Sequence, residues 1–426
     1  MLTTSLAPAS ATDPSVVDRV LNEFHRAAEH VPAYQALLAE AGVRPIDVRD
    51  VSAFSALCPL LSKVNTFDRF PLASLCVGGE LGDVAEVLTS SGHGGRFSFG
   101  VISRAEAASS GAFVDAALDP FYQVRSRKTL AINCLPMGVV VSSQCMTVAT
   151  TSVREDMAVA LVKTFGAGYE QIVLIGDPLF MKRLLDHAAE QAVDWRQHRV
   201  NAIVGEETFG EHFRRYIETG LGGQVLSSFG VAELGLHLCF ETPETVAFAR
   251  AQAAAPPGSW PPMILSFNRQ RTFVEIVDPD GQGYGRLTIS MLDPSRQVPM
   301  LRYQTGDVAR LLDGDRIALR GRVRDALPNG AQVGLYKDAL YANPELAHRF
   351  TGATRLIFSG GRFTMHAQLI RGEHPAPAVE RGLLNEIPAG VRPSRLALWP
   401  YAHFPFGMGL DYERKFSHFV AGEVDR

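Results

Sequence analysis

The central part of the chain alternates short apolar runs with segments whose apolar residues recur at helical spacing. This alternation predicts parallel strands covered by helices, and ligands of such sheets bind where loops leave the carboxyl ends of the strands. The predicted strands lie at 129–135, 171–175, 200–204 and 224–228. The predicted helices lie at 154–165, 178–193 and 208–220.

The regions on either side follow other patterns. Asp13 and Pro14 are typical of a helix start, and apolar residues at helical spacing continue to about residue 31. After about residue 240, apolar runs at 273–278 and 285–291 predict an antiparallel hairpin. A second hairpin is predicted at 308–312 and 317–320, and a new set of short elements begins near Asp325.

The fold class that these patterns predict is α/β. We expect a large N-terminal body at 1–324, with mixed sheets flanked by helices and a β-rich subdomain. A small C-terminal α+β domain should follow at 325–426.

Composition and charge exclude several classes of protein. Of the 426 residues, 46% are hydrophobic and 20% are charged, so a disordered chain is excluded. The formal net charge of -4 argues against nucleic acid as a partner. Five scattered cysteines are typical of reduced thiols. No apolar segment reaches the roughly 20 residues needed to cross a membrane, so we expect a soluble, cytoplasmic protein without a membrane partner.

Five stretches carry candidate chemistry. Residues 89–96 form a glycine- and serine-rich loop that could hold an anion, and Glu233 follows a predicted strand, where a carboxylate could bind Mg²⁺. Asp307 could accept the hydroxyls of a ribose, and Arg322 could reach a ribose or a phosphate. Lys415 lies among charged residues. Taken singly, each stretch is better explained by a turn, a helix cap or a surface charge.

Together, the order and spacing of these stretches resemble the adenylate-forming enzymes, which include acyl-CoA synthetases, adenylation domains and luciferases. The similarity is greatest to the phenylacetate–CoA ligase branch. The family's phosphate loop, Ser-Gly-Thr-Thr-Gly-Lys, aligns with Ser91-Gly92-His93-Gly94-Gly95-Arg96. Its remaining motifs align with Gly205-Glu206-Glu207, Phe229-Gly230-Val231-Ala232-Glu233, Tyr303-Gln304-Thr305-Gly306-Asp307 and Gly321-Arg322-Val323-Arg324-Asp325.

The resemblance implies a role for each aligned residue. Glu233 would hold Mg²⁺, and the lysine that acts on the α-phosphate would be Lys415, carried by a mobile C-terminal lid whose hinge lies at Asp325. The residues implied to bind ATP are Ser91, Gly92, His93, Gly95, Arg96, Glu206, Ser228, Phe229, Gly230, Asp307 and Arg322. ATP and Mg²⁺ are the implied cofactors, and the implied partner is a small carboxylic acid of aromatic or apolar character.

Some positions depart from the family pattern. His93 and Gly94 replace two hydroxyl residues of the phosphate loop, Arg96 replaces its lysine, and Ala232 replaces a serine or threonine. Residues 327–330 replace an Arg-Gly-x-Asn segment that helps to build the thioester-forming conformation.

Three hypotheses follow. The chain could activate an acid as an acyl-adenylate and pass it to CoA or another thiol. It could instead pass the acyl group to a protein thiol, to a carrier or to an amine, feeding a reductase or a biosynthetic partner. It could also bind nucleotide without catalysis. The sequence leaves CoA open as a cofactor and leaves the oligomeric state open, a homodimer included.

Overall fold

The computed structural model describes residues 5–6, 13–90, 97–136, 138–252, 261–359, 361–406 and 418–421. The helices are α1 Pro14–His30, α2 Pro32–Glu40, α3 Val51–Leu57, α4 Arg104–Tyr122, α5 Glu155–Phe165, α6 Pro178–Glu190, α7 Glu211–Leu221, α8 Pro243–Gln252, α9 Val333–Ala342, α10 Pro344–Ala347 and α11 Pro377–Asn385. Within the described parts of the chain, no helix is both long and apolar enough to span a bilayer.

The strands also follow in chain order. The first nine are β1 Ser5–Leu6, β2 Val84–Thr89, β3 Phe99–Ser103, β4 Thr129–Asn133, β5 Thr147–Thr150, β6 Gln171–Gly176, β7 Val200–Val204, β8 Val225–Val231 and β9 Gly235–Phe240. The others are β10 Met263–Phe267, β11 Thr272–Val277, β12 Gly285–Met291, β13 Tyr303–Leu311, β14 Arg316–Arg322, β15 Phe350–Ser359, β16 Arg362–Leu369, β17 Arg395–Trp399 and β18 Phe419–Ala421.

The chain divides into two compact units, each built from several stretches of sequence. The first unit contains residues 1–114, 228–245 and 264–323, and the second contains 115–227, 246–263 and 324–426. The second unit therefore groups the predicted C-terminal domain with the central strand–helix region. The division into domains at 1–324 and 325–426 stays a prediction.

The first unit is built on antiparallel strands. β11, β12, β13 and β14 pair in succession, as both predicted hairpins require. The prediction was wrong about where the second hairpin begins, because β13 extends back to Tyr303 and so contains the Thr-Gly-Asp motif. Helix α1 begins as predicted: Asp13 accepts a hydrogen bond from the amide of Ser15, and Pro14 is the first helical residue.

The second unit contains the predicted parallel strands. β5, β4, β6 and β7 pair in parallel, and every residue of β4 and β6 is buried. Helix α7 starts at Glu211 rather than at residue 208, because Gly210 is its N-cap. In the C-terminal part, β15 and β16 are antiparallel, while β17 and β18 add in parallel at the two edges. This mixed α/β architecture confirms the predicted fold class.

Candidate active site

A buried carboxylate lies in the turn between β8 and β9 of the first unit. Glu233 is only 4% exposed, and the hydroxyl of Tyr303 donates a hydrogen bond of 2.8 Å to its Oε1. The ammonium of Lys63 lies 3.4 Å from the same oxygen. The residue predicted to bind Mg²⁺ is therefore buried and held beside a phenol and an ammonium.

Backbone pairing brings Lys63 to this carboxylate. Leu61 lies beside the start of β13, where its amide donates to the carbonyl of Arg302 at 3.0 Å and its carbonyl accepts from Gln304 at 2.8 Å. The Arg302 guanidinium is buried, pairs with Glu275 at 3.1 Å and donates to the carbonyl of Cys58 at 2.5 Å. Arg302 thus ties the segment that carries Lys63 to the strand that carries the phenol.

The surroundings keep Glu233 ionised. Burial acts to raise its pKa, but the nearby Lys63 ammonium and the Tyr303 hydrogen bond hold the pKa of the Glu233 carboxyl below its ordinary value. Burial, together with the adjacent carboxylate, raises the pKa of Tyr303, so the phenol keeps its proton. An ionised oxygen donor of this kind suits Mg²⁺, which takes one or two protein carboxylates and leaves its other positions to phosphate oxygens and water.

Asp307 and Arg322 form a cross-strand pair on β13 and β14. Asp307 is 3% exposed, and Arg322 Nε lies 3.4 Å from its Oδ1. Gly306 has a φ of 82°, a left-handed conformation that side-chain-bearing residues rarely adopt. The two residues predicted to contact ribose or phosphate are therefore neighbours, and the aspartate belongs to a strand rather than to a turn.

The two ends of the predicted phosphate loop are held together. The Ser90 amide donates to the Ser98 carbonyl, and the Ser98 amide donates to Ser90 Oγ, both at 2.9 Å. A Cβ at Gly100 would lie 2.0 Å from the carbonyl oxygen of Ala232, so β3 passes directly against the residue before Glu233. Ser91, Gly92, His93, Gly95 and Arg96 themselves lie outside the described residues.

The adjacent β8 carries three further predicted ATP contacts. Ser228 and Phe229 pair with Phe240 and Cys239 of β9, and Ser228 Oγ lies 3.3 Å from Nδ1 of His237. Gly230 continues the same strand. The nucleotide-binding roles of Ser228, Phe229 and Gly230 stay predictions.

In the second unit, three carboxyl groups follow the carboxyl ends of β6 and β7. Asp177 caps α6 by accepting from the Phe180 amide, and burial raises the pKa of Asp177 to about 6. Glu206 has a φ of 73°, which is unusual for a residue with a side chain. Glu207 pairs with Lys337 of α9, so Glu206 and Glu207 have different environments although they are neighbours in the same aligned motif.

The remaining predicted residues, Asp325 and Lys415, lie in the C-terminal part of the sequence. Asp325 ends a short turn, and its Oδ1 lies 4.0 Å from Arg324 Nε. Its role as a hinge stays a prediction. Lys415 lies outside the described residues.

Lys63, Tyr303 and the partners of Glu207 were not assigned roles from the sequence. Tyr303 could have been found, because it belongs to the Thr-Gly-Asp motif. Lys63 gives no such signal, because a lone lysine between Ser62 and Val64 belongs to no motif of characteristic spacing.

Comparisons with known proteins find two curated relatives and many solved structures of similar fold. The chain is 24% identical over 334 residues to a phenylacetate–coenzyme A ligase of Pseudomonas putida, an alignment that covers 71% of the chain and 67% of the relative. It is 25% identical over 305 residues to a phenylacetate–coenzyme A ligase of Thermus thermophilus, covering 66% and 62%. No protein-family model matches the chain.

Solved structures show the fold. A 2-hydroxyisobutyryl-CoA ligase in its postadenylation state, in complex with 2-HIB-AMP, superposes with a TM-score of 0.74 at 17% identity, covering 99% of the chain and 91% of that structure. The chain has the adenylate-forming fold. An open form of the same ligase with 2-HIB-AMP and CoA superposes with a TM-score of 0.60, covering 98% and 93%. The predicted resemblance to adenylate-forming enzymes, and to the phenylacetate–CoA ligase branch, is confirmed.

Proposed function

We propose that this protein is a ligase that uses ATP and Mg²⁺ to activate a carboxylic acid as an acyl-adenylate and then transfers the acyl group to CoA. The observation that carries this proposal is the ionised, buried carboxylate of Glu233, held by Tyr303 and Lys63 beside the strand that leaves the predicted phosphate loop. The phenylacetate–coenzyme A ligases among its relatives and the complexes of the 2-hydroxyisobutyryl-CoA ligase with an acyl-AMP and CoA support it.

The residues present fit magnesium. Glu233 offers a carboxylate oxygen whose pKa is lowered, and the described residues contain no cluster of three or more His, Cys, Asp or Glu side chains that would favour another metal. A bound Mg²⁺ would supply charge neutralisation for phosphate oxygens. Tyr303 would hold the carboxylate in place, and Lys63 would supply a second positive charge near it.

The proposed reaction has two steps. In the first, an oxygen of the acid bonds to the α-phosphorus of ATP, the bond from that phosphorus to the β-phosphate oxygen breaks, and pyrophosphate leaves. Lys415 would stabilise negative charge on the α-phosphoryl oxygens in this step. In the second, a thiolate bonds to the acyl carbon and AMP leaves. Asp307 and Arg322 would hold the ribose throughout.

Two observations bear on the identity of the acyl acceptor. CoA is favoured by the relatives, whereas the replaced segment at 327–330 motivated a protein thiol or an amine. That segment forms a tight turn in which the Leu327 amide donates to the Ala331 carbonyl at 2.9 Å, and the side chain of Asn329 donates to Tyr336 at 3.0 Å. The turn is thus anchored to α9.

The test is acid-dependent exchange of labelled pyrophosphate into ATP by the purified protein. Phenylacetate, 2-hydroxyisobutyrate and a panel of aryl and fatty acids should be compared, with and without Mg²⁺. We expect exchange with at least one acid, and thioester formation when CoA is added. Absence of exchange with every acid would overturn the proposal, and exchange without thioester would overturn CoA as the acceptor.

A further inference from the structure

A positively charged side chain of the first unit stacks on an aromatic ring. Arg271 lies just before β11, and its Cζ is 3.9 Å from the centroid of the Phe113 ring of α4. Stacking of this kind holds the plane of a guanidinium and leaves its edge, which carries the N–H donors, available for an acceptor. The Arg271 side chain is 34% exposed, so a ligand can reach it.

Asp293 is the only hydrogen-bond partner of the Arg271 guanidinium among the described residues. The two side chains meet at 3.4 Å, from Nη2 to Oδ2, which is long for a charge-assisted hydrogen bond. Asp293 also accepts from the amide and the hydroxyl of Ser295, at 3.0 and 2.6 Å. Because a guanidinium has five N–H donors, Arg271 keeps donors for a further acceptor.

His237 of β9 lies beside the same aromatic ring. The centroids of the His237 and Phe113 rings are 6.5 Å apart, and His237 Nδ1 lies 3.3 Å from Ser228 Oγ. His237 is exposed, yet desolvation, together with the charge of Arg271, lowers its pKa to about 4. A side chain that solvent reaches and that protein atoms still desolvate lies in a concave part of the surface. The imidazole is neutral near pH 7 and has one N–H to donate.

Phe113, His237 and Arg271 together form the Arg271 cluster, which lies in the same unit as the carboxylate assigned to Mg²⁺. His237 is four residues after Glu233, a stretch of chain that extends over at most about 14 Å. Ser228 is a predicted ATP contact on β8, which pairs with β9. The carboxyl group of the acid must react beside Mg²⁺, so an acid of ordinary length can extend its other end to the cluster.

We infer that the Arg271 cluster binds the far end of the acid, and that this end carries a second, anionic oxygen group such as a carboxylate. The inference rests on the proposed function, because it names the substrate class of the same site. Arg271 would pair with the anionic group through two parallel N–H donors, and the imidazole of His237 would donate a third hydrogen bond. The part of the acid between its two ends can still be aromatic or apolar, as the sequence predicts.

The cost of desolvating a cation explains why this cluster would select such an acid. A monocarboxylic acid of the same length would place an apolar end against Arg271, displacing water from the guanidinium without offering an acceptor. An acid with a second carboxylate replaces that water by charge-assisted hydrogen bonds. Sites that hydrogen-bond a group of the substrate discriminate strongly against the analogue that lacks this group.

Matched pairs of acids test the inference on the full chain. The two acids of a pair share one carbon skeleton and differ only in the second carboxylate, as adipate differs from hexanoate and para-carboxyphenylacetate from phenylacetate. ATP–pyrophosphate exchange gives kcat/KM for each acid, and the ratio within a pair measures the preference. We expect the wild type to prefer the dicarboxylic acid of at least one pair by about 10- to 100-fold, the factor that corresponds to a hydrogen bond to a charged group.

Three variants and a control locate the origin of this preference. Arg271→Met should remove it, and Arg271→Lys should keep part of it, because lysine retains the charge but not the two parallel donors. His237→Leu should reduce it less, because one neutral donor is lost. Both acids of a pair are measured on one preparation, so partial unfolding of a variant cancels in the ratio. Arg286→Met is the matched control, since it removes an arginine that pairs with Asp278 at the opposite end of β11 and β12.

The outcomes separate this inference from the proposed function. Absence of exchange with every monocarboxylic and dicarboxylic acid would overturn both. Exchange without a preference for the dicarboxylic acid in any pair would overturn this inference alone, and so would a preference that Arg271→Met retains. The control Arg286→Met should keep the wild-type ratio. An equal loss of the preference in this control would also overturn the inference, because the loss would then not depend on the position of Arg271.

Discussion

Replacing Glu233 by glutamine should nearly abolish adenylation while leaving the fold almost intact. Glutamine has the same shape, and its carbonyl oxygen can still accept the hydrogen bond from Tyr303. What is lost is the negative charge that faces Lys63 at 3.4 Å. The substitution therefore separates the electrostatic role of the carboxylate from its packing.

The expected cost in stability is small. Lys63 is 36% exposed, so solvent screens its attraction to Glu233 and the pair contributes at most about 1 kcal/mol. The Tyr303 hydrogen bond weakens by a further ~1 kcal/mol when its acceptor becomes neutral. Glutamine also avoids the desolvation cost of a buried charge, which offsets part of both losses. We expect the free energy of unfolding to fall by about 1 kcal/mol.

The expected cost in rate is much larger. Removing one preorganised electrostatic group from an active site typically lowers the rate by roughly 100- to 1000-fold. The assay is pyrophosphate exchange at increasing Mg²⁺, accompanied by denaturant unfolding of the same preparation. A rate within about threefold of the wild type at saturating Mg²⁺ would refute the assignment of Glu233 as the metal ligand. The assignment would also be refuted if the rate fell only because the variant had lost much of its free energy of unfolding.

Three further predictions follow from the same contacts. Glu275→Gln should mainly reduce stability, lowering the free energy of unfolding by about 3–5 kcal/mol, because Arg302 is left charged and buried without its partner. Urea unfolding that matches the wild type would contradict this expectation. Tyr303→Phe should raise the acidic pKa of the exchange–pH profile, because it removes a hydrogen bond to a carboxylate; an unshifted profile would show that this bond is not formed. The hydrogen bond to Asp338 raises the pKa of His212, so this bond stabilises the fold fully below about pH 6.5, and the stabilisation is lost as the pH rises through the raised pKa. The melting temperatures of the wild type and of His212→Gln should therefore converge as the pH rises through that value. A difference that stays constant with pH would exclude this stabilisation.

The elements of this protein could be predicted from the sequence because local forces determine them. The Asp13-Pro14 helix start and the strands predicted at 171–175 and 200–204 are confirmed, since capping chemistry and apolar runs act over a few residues. The motif order likewise predicted the adenylate-forming fold. The predicted start of the second hairpin at residue 308 was wrong, because pairing with neighbouring strands extends β13 back across Thr305-Gly306-Asp307.

Only the tertiary structure decided which distant side chains meet. Lys63 reaches Glu233 because Leu61 pairs with the backbone beside Tyr303, and Asp338 caps α7 because Gly210 leaves room for it. Contacts of this kind depend on how strands and helices are arranged in space, and residues far apart in the chain carry no periodic signal of their future partners. The sequence by itself determined the elements and the chemical groups available to the site. The fold determined which of these groups become neighbours. Burial and close approach then set the charge state of each carboxylate, phenol or ammonium, and so the chemistry it can perform.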